Sequence, residues 1–294
     1  MERLADIFPY ILTKENFSTL LPDLSLYPNG IVIPIDKPYQ FTSTECVGKV
    51  KFFLRNFFRS KNLKVGHAGT LDPLATGLLL ICVGKATKLA DYFQSHSKEY
   101  ITQFVFGATT PSYDREKPIS QLFEYKHITE EGVERAIEKM IGIQEQVPPI
   151  FSAKLVNGKR LYEFAREGET IEIRSSTIEI YDIEILRDYS HPNLTIPPFE
   201  TADGQENFVI KKRGKMREDG EELSIISPSE ISSLSKITLR IECSKGTYIR
   251  SIARDLGISL CSGAFMNGLC RTRSGDFTLS EALPLNYFLK DFTK

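Results

Sequence analysis

Hydrophobic positions follow two spacings along this chain. Leu78 to Val83 is the most apolar stretch and predicts a buried strand; Ile31-Val32-Ile33-Pro34-Ile35 and Tyr100 to Phe106 predict two more. Ile237, Leu239, Ile241 and Cys243 alternate with Thr238, Arg240 and Glu242, the signature of a half-buried strand. Elsewhere the period is helical. Ser43-Thr44-Glu45 offers a capping hydroxyl and an acid at the positive end of a helix, and Val47, Val50, Leu54, Phe57 and Phe58 form the apolar side behind it. Ala86 to Phe93 predicts a short helix. Thr129-Glu130-Glu131 opens another, carrying Val133, Ala136, Ile137, Met140 and Ile141 and stopped by Gly142. Gly158 to Arg166, stopped by Gly168, and Thr247 to Gly257, with Ile249, Ile252, Ala253 and Leu256 inward, complete the set. Strands and helices mix without a strict β-α-β rhythm. The expectation is an α+β fold with a mixed, largely antiparallel sheet flanked by helices.

Composition narrows the function classes. The 294 residues include 37 Lys plus Arg and 38 Asp plus Glu, for a net charge of −1, so any nucleic-acid partner must be met by a local patch. One such patch follows Ser43. Lys51, Arg55 and Arg59 recur every fourth residue on the predicted helix, Lys64 lies just beyond, and no acid occurs between Glu45 and Asp72. A solvated helix face is the ordinary reading of such a run; the missing acids favour phosphate contact.

Five cysteines without a C-x-x-C pair support neither a zinc ribbon nor a redox motif. The four histidines lack metal-ligand spacing, and no dinucleotide, P-loop or nucleophile-elbow motif is present. The expected chemistry uses neither cofactor nor metal. The first residues lack the apolar core of a signal peptide and no run reaches membrane-spanning length, so the expected location is the cytoplasm, with no membrane partner.

Asp72 sits in Gly66-His67-Ala68-Gly69-Thr70-Leu71-Asp72-Pro73-Leu74-Ala75-Thr76-Gly77, directly before the buried strand. Gly and Pro at this density let a backbone approach a ligand closely and fix one carboxylate at a strand tip. A turn in which Asp72 caps neighbouring N–H groups is the alternative.

Several separated segments, in order, match a known family. They are Asp36-Lys37-Pro38 with Thr42-Ser43, Gly66 to Gly77, Lys98-Glu99-Tyr100, Phe106 to Thr110 with Asp114, and Val147 to Ala153. Gly158 to Tyr162, Ala165-Arg166, Cys243 to Arg250 and Leu269-Cys270-Arg271 continue the series. The chain resembles the TruB-type tRNA pseudouridine synthases, which isomerise uridine 55 in the T loop of tRNA. The resemblance implies a pseudouridine-synthase catalytic domain over residues 29–283, preceded by an N-terminal extension, 1–28. A short tail, 284–294, would follow without a separate C-terminal RNA-binding domain. Residues 190–235, rich in Pro, Ser, Glu and Lys, read as a surface insertion; its basic cluster Lys211 to Arg217 is followed by balancing acids.

The same resemblance implies site roles. Asp72 is the catalytic nucleophile, Tyr100 stacks on the flipped uracil and Arg250 pairs with Asp72. His67 holds the RNA where a T-loop base is displaced, Leu269 lines the uracil pocket, and Tyr248 joins Lys51, Arg55, Arg59 and Lys64 in contacting RNA. The expected partner is the tRNA T stem-loop, met by a monomer. The chemistry agrees: a base must leave its stack to be turned over, and an aromatic ring replaces the lost stacking. Asp72 can attack covalently or act as a general base. A non-catalytic tRNA-folding protein, or a synthase for another RNA uridine, are the rivals. Where the family usually has Gly, this chain has Gln40, which puts the local turn in question; the Lys154-Leu155 order is also reversed, and Lys154 receives no role.

Overall fold

The computed structural model describes residues 8–187 and 234–289. The insertion assigned to 190–235, with its Lys211 to Arg217 cluster, lies almost wholly outside the described residues, as do 1–7 and 290–294. In chain order the main elements are β1 (Tyr10–Ile11), β2 (Ile31–Lys37), α1 (Ser43–Phe57), β3 (Val65–His67), β4 (Ala75–Val83), α2 (Ala90–Ser95) and β5 (Lys98–Phe106). Then come α3 (Glu130–Glu138), β6 (Gly142–Gln146), α4 (Leu161–Glu167), β7 (Ser176–Ile185), β8 (Lys236–Cys243), α5 (Ile249–Ser259) and β9 (Ala264–Ser274). The architecture is α+β, with a mixed, largely antiparallel sheet flanked by helices. No helix among the described residues is long and apolar enough to cross a membrane.

The chain divides into two compact units. The first comprises Met1–Ile101, Ile241–Lys245 and Leu269–Lys294; the second comprises Thr102–Arg240 and Gly246–Gly268.

In the first unit β4 is the organising strand. All nine of its residues are buried, and burying Leu78, Leu79, Leu80 and Ile81 stabilises the fold by about 1.5–3 kcal/mol per side chain. One edge of β4 pairs antiparallel with β2 along its whole length, from Ile31 opposite Val83 to Lys37 opposite Gly77. The other edge is shared. β3 pairs antiparallel with the far end of β4, His67 opposite Ile81, and β9 runs parallel to its start, Leu269 opposite Ala75. The register therefore places the His67 and Leu269 strands beside the two ends of one strand. The outer edge of β2 is covered by β1 and by Leu283–Pro284, both parallel. Phe17 and Phe288, from opposite ends of the chain, pack their rings on Phe53 of α1 at 6.1 and 5.1 Å.

Helix α1 opens one residue earlier than its hydroxyl run suggested. Thr42, extended at ψ 153, is the cap and forms a reciprocal capping box with Glu45, which frees Ser43 for another use. The helix ends at Phe57, and Arg59 turns left-handed at φ 51, with the Ser60 N–H donating to Arg55 O. Arg59 thus leaves the row that Lys51 and Arg55 share. The helix expected over Ala86–Phe93 is a 3-10 turn, Gly84–Leu89, leading into α2. The helix expected from Gly158 starts only at Leu161, because Gly158 lies in the turn between two short paired strands, Leu155–Val156 and Lys159–Arg160.

In the second unit β7 pairs antiparallel with β6, Ser176 opposite Gln146. The strand order there continues from β9 through β5, β8 and β7 to β6. Thr129 caps α3 through the Gly132 N–H, and Val133, Ala136 and Ile137 form its buried side.

Gly77 tests how tightly β4 is held. It sits at φ +95, and an added Cβ would stand 2.4 Å from the Arg271 carbonyl oxygen and 2.8 Å from its nitrogen. Backbone cannot move aside as a flexible side chain can. Gly77→Ala is expected to lower the unfolding free energy by about 2–4 kcal/mol, read from urea denaturation.

Candidate active site

The Asp72 loop is fastened through its backbone. Ser43 Oγ donates to Leu71 O at 3.0 Å and accepts from Leu71 N at 2.9 Å, so one buried hydroxyl satisfies both polar groups of a buried residue. Pro73 O accepts from Gln40 N at 2.8 Å and from Lys37 Nζ at 3.3 Å. Gly69 O accepts from Arg271 Nη2 at 3.2 Å. The Ala75 N–H closes a turn onto Asp72 O. Pro73 further restricts Asp72 to extended backbone. The carboxylate-bearing residue is itself only half-buried. A rigid main chain thus presents one acid at a partly open position.

Around it the first unit gathers cations. Lys37 is fully buried and donates to Phe41 O at 2.6 Å and Pro38 O at 3.1 Å as well as to Pro73 O. Burial pushes its ammonium down to about 8, while Asp72 acts to raise it and Arg271 to lower it. Lys98, 5% exposed, closes the C-terminal end of α2 by donating to Gln94 O and to His96 O, and burial pushes it down to about 8. Arg271, 2% exposed, donates from Nε to Leu78 O at 2.6 Å. Burial holds the Asp36 carboxyl above the usual range, against the opposing pull of the Gly77 backbone N–H.

Of the residues singled out in the sequence, Asp72, Tyr100, His67 and Leu269 fall together in the first unit. Tyr100 is buried, and burial raises its phenol while the charge of Arg271 acts to lower it. His67 has a buried Nδ1 without a hydrogen-bond partner, and burial, reinforced by Arg271, lowers its ring so that it stays neutral. Leu269 is buried, and its carbonyl accepts from Thr76 Oγ1 at 3.3 Å. Lys51 is half-buried on α1, and Arg55, Arg59 and Lys64 are exposed.

Arg250 and Tyr248 belong to the second unit. There the buried Arg250 donates to Ser112 O at 3.1 Å and Phe151 O at 2.9 Å, and lies 3.4 Å from the buried Asp114 carboxylate. Asp114 also accepts from Ser112 Oγ at 2.6 Å and from Glu116 N at 2.8 Å. Tyr248 caps α5, clamped by Gln146, which accepts from its N–H and donates to its carbonyl. Lys154 donates to Ser176 Oγ and Arg174 O. Among the described residues no group of three or more His, Cys, Asp or Glu could hold a metal ion.

Sequence reasoning gave Lys37, Lys98 and Arg271 no individual role, and Ser43 only that of a helix cap. The available signal was a cation or hydroxyl inside an apolar strand or at a helix start, where a buried polar group must find partners.

Two outcomes follow for the loop. Ser43→Ala leaves both Leu71 groups unsatisfied, and the unfolding free energy is expected to fall by about 1–3 kcal/mol in urea titrations. Lys37 contributes a defined pH dependence. Its folded pKa lies near 8, below the ~10.4 of an unfolded lysine. Above about pH 8 the unfolded chain therefore binds more protons, and this group adds stability as pH rises. The difference in unfolding free energy between wild type and Lys37→Met is expected to move in favour of wild type from pH 7.5 to 10; a flat difference contradicts this account.

Comparison with known proteins identifies the family. The TruB family pseudouridylate synthase (N terminal domain) model matches residues 55–198. A tRNA pseudouridine synthase B of Phocaeicola vulgatus is 41% identical over 262 residues, covering 89% of this chain and 93% of the relative. One from Flavobacterium johnsoniae is 40% identical over 263 residues, covering 89% and 96%. Among solved structures, a Cbf5–Nop10–Gar1 complex shares the fold at a TM-score of 0.54 and 24% identity, covering 87% of this chain and 52% of the other. Sustained over nearly the full length of both chains, identity near 40% is decisive: the chain belongs to the TruB family of pseudouridylate synthases.

Proposed function

We propose that the protein isomerises a uridine of tRNA to pseudouridine at position 55 of the T loop, with Asp72 as the essential carboxylate. The observation that carries this reading is the half-buried Asp72, on a loop tethered at Gly69, Leu71 and Pro73, in the same compact unit as the buried Tyr100. The reaction breaks the bond between the sugar carbon and the ring nitrogen. It then joins the sugar to ring carbon 5, whose proton leaves as the nitrogen gains one. Atoms and electrons balance without an added reagent.

Asp72 can serve either as a nucleophile or as a general base on the sugar. Tyr100 offers its ring as a stacking surface for the extruded uracil, and Leu269 an apolar wall. His67, half-buried beside β4, is the ring that the motif order assigns to holding the RNA. Lys51, Arg55, Arg59 and Lys64 supply phosphate contacts. The pairing of Arg250 with Asp72, and RNA contact by Tyr248, come from motif order.

The test uses purified protein and an unmodified tRNA transcript, with pseudouridine mapped by position. Wild type is expected to modify uridine 55, and Asp72→Asn to make none while retaining tRNA affinity within about threefold, since the loss belongs to the chemical step. Normal turnover by the variant removes Asp72 from the chemistry. Modification at another uridine transfers the activity to a different site, and tRNA binding without any product marks a folding factor.

A further inference from the structure

Helix α1 buries Cys46, Val50, Phe53 and Leu54 on one side. Phe52 lies off that side. It is 65% exposed and makes no ring contact among the described residues. Lys49 and Arg55 stand three residues before and after it, so the three share one helix face, and all are exposed. Beyond the helix, Lys61 and Lys64 are exposed as well. None of these four cations forms an ion pair among the described residues. Glu45, the only acid of α1, is turned back onto Thr42 by the capping box.

A single exposed apolar side chain is ordinary on a protein surface. An exposed aromatic ring set between unpaired cations on one helix face is more particular. It matches what an unpaired nucleotide presents: a planar base for the ring and a phosphate for the charges beside it. A protein partner would have to supply an acid for each cation, whereas RNA supplies one at every nucleotide. We propose that Phe52 is a stacking platform for an unpaired base of the tRNA, with Lys49 and Arg55 holding the phosphates beside it. The proposal rests on tRNA being the substrate. Ser43 of the same helix grips Leu71, next to Asp72. Phe52 lies about 14 Å further along the axis, at 1.5 Å per residue. The nucleotide it meets is therefore another than the target uridine, and the contact serves capture of the tRNA rather than the chemistry.

The test measures the affinity of the whole chain for an unmodified tRNA transcript and for a fully paired RNA duplex, over a range of salt concentrations. It compares wild type with Phe52→Leu, Phe52→Trp and Arg55→Gln. Phe52→Leu keeps an apolar side chain but has no aromatic face. It is expected to weaken tRNA binding by about fivefold to a hundredfold while duplex binding stays within about twofold. Phe52→Trp is expected to bind tRNA at least as well as wild type, within about twofold. The slope of log affinity against log salt is expected to stay unchanged in Phe52→Leu and to become shallower by about one in Arg55→Gln. These positions are exposed, so the variants are expected to fold as wild type does. Unchanged tRNA affinity in Phe52→Leu overturns the proposal, as does an equal loss on the duplex. Self-association lost in that variant with tRNA binding intact also overturns it, and assigns the ring to contact between copies. Pseudouridine mapping on the same tRNA judges the catalytic reading separately: wild type that binds through Phe52 yet makes no pseudouridine overturns that reading alone.

Discussion

A loop that enters a protein interior must bring its peptide groups with it, and each N–H or C=O that loses water needs a fixed replacement. This constraint shapes the Asp72 segment. Leu71 is buried and bonded at both ends by one hydroxyl, Ser43 Oγ. Pro73 O takes a backbone donor and an ammonium, and Gly69 O takes a guanidinium. None of these partners lies within the loop. Ser43 comes from the first turn of α1, Lys37 from the end of β2, and Arg271 from β9. The acid's position is therefore set by the relative placement of three elements, each anchored in the apolar packing around β4.

Satisfying carbonyls with cations has an electrostatic consequence. Lys37, Lys98 and Arg271 are nearly or wholly buried, and their hydrogen bonds go largely to carbonyl oxygens. Burial depresses both lysines. A buried carbonyl offsets part of the desolvation cost of a charge without cancelling the charge itself. The field that remains is positive, and Asp72 stands within its reach. Such a field, with burial, favours the neutral form of His67.

The legible parts of the fold are those governed by local pattern. Leu78–Val83 was readable as a strand because an unbroken apolar run has few other homes, and the observed strand extends that run back only to Ala75. Helix α3 was readable because Thr129, the apolar spacing and Gly142 all agree. The start of α1 was misread by one residue, since Thr42, Ser43 and Thr44 all carry capping hydroxyls; only the extended backbone of Thr42 decides among them. The site divides likewise. Asp72 and Tyr100 could be singled out because their segments matched a family in order. Ser43 and Arg271 could not, because their meaning lies in contacts with Leu71 and Gly69, 28 and 202 residues away. No periodicity encodes a partner at that range.

Gln40 shows what the loop demands of its neighbours. It stands where the family usually carries glycine, and it adopts φ +66 all the same. For a residue with a Cβ this conformation costs about 1–2 kcal/mol. The cost is tolerated because the turn aims the Gln40 N–H at Pro73 O at 2.8 Å. The demand falls on the backbone, so the side chain is free to vary while the conformation is not. Lys37 Nζ shares that same carbonyl, and its grip on Phe41 O and Pro38 O brackets the turn on either side of Gln40. The strained residue is thus held by the same buried ammonium that holds the Asp72 loop. The departure at Gln40 therefore leaves the loop's anchorage intact: the strain is local and its restraint is shared.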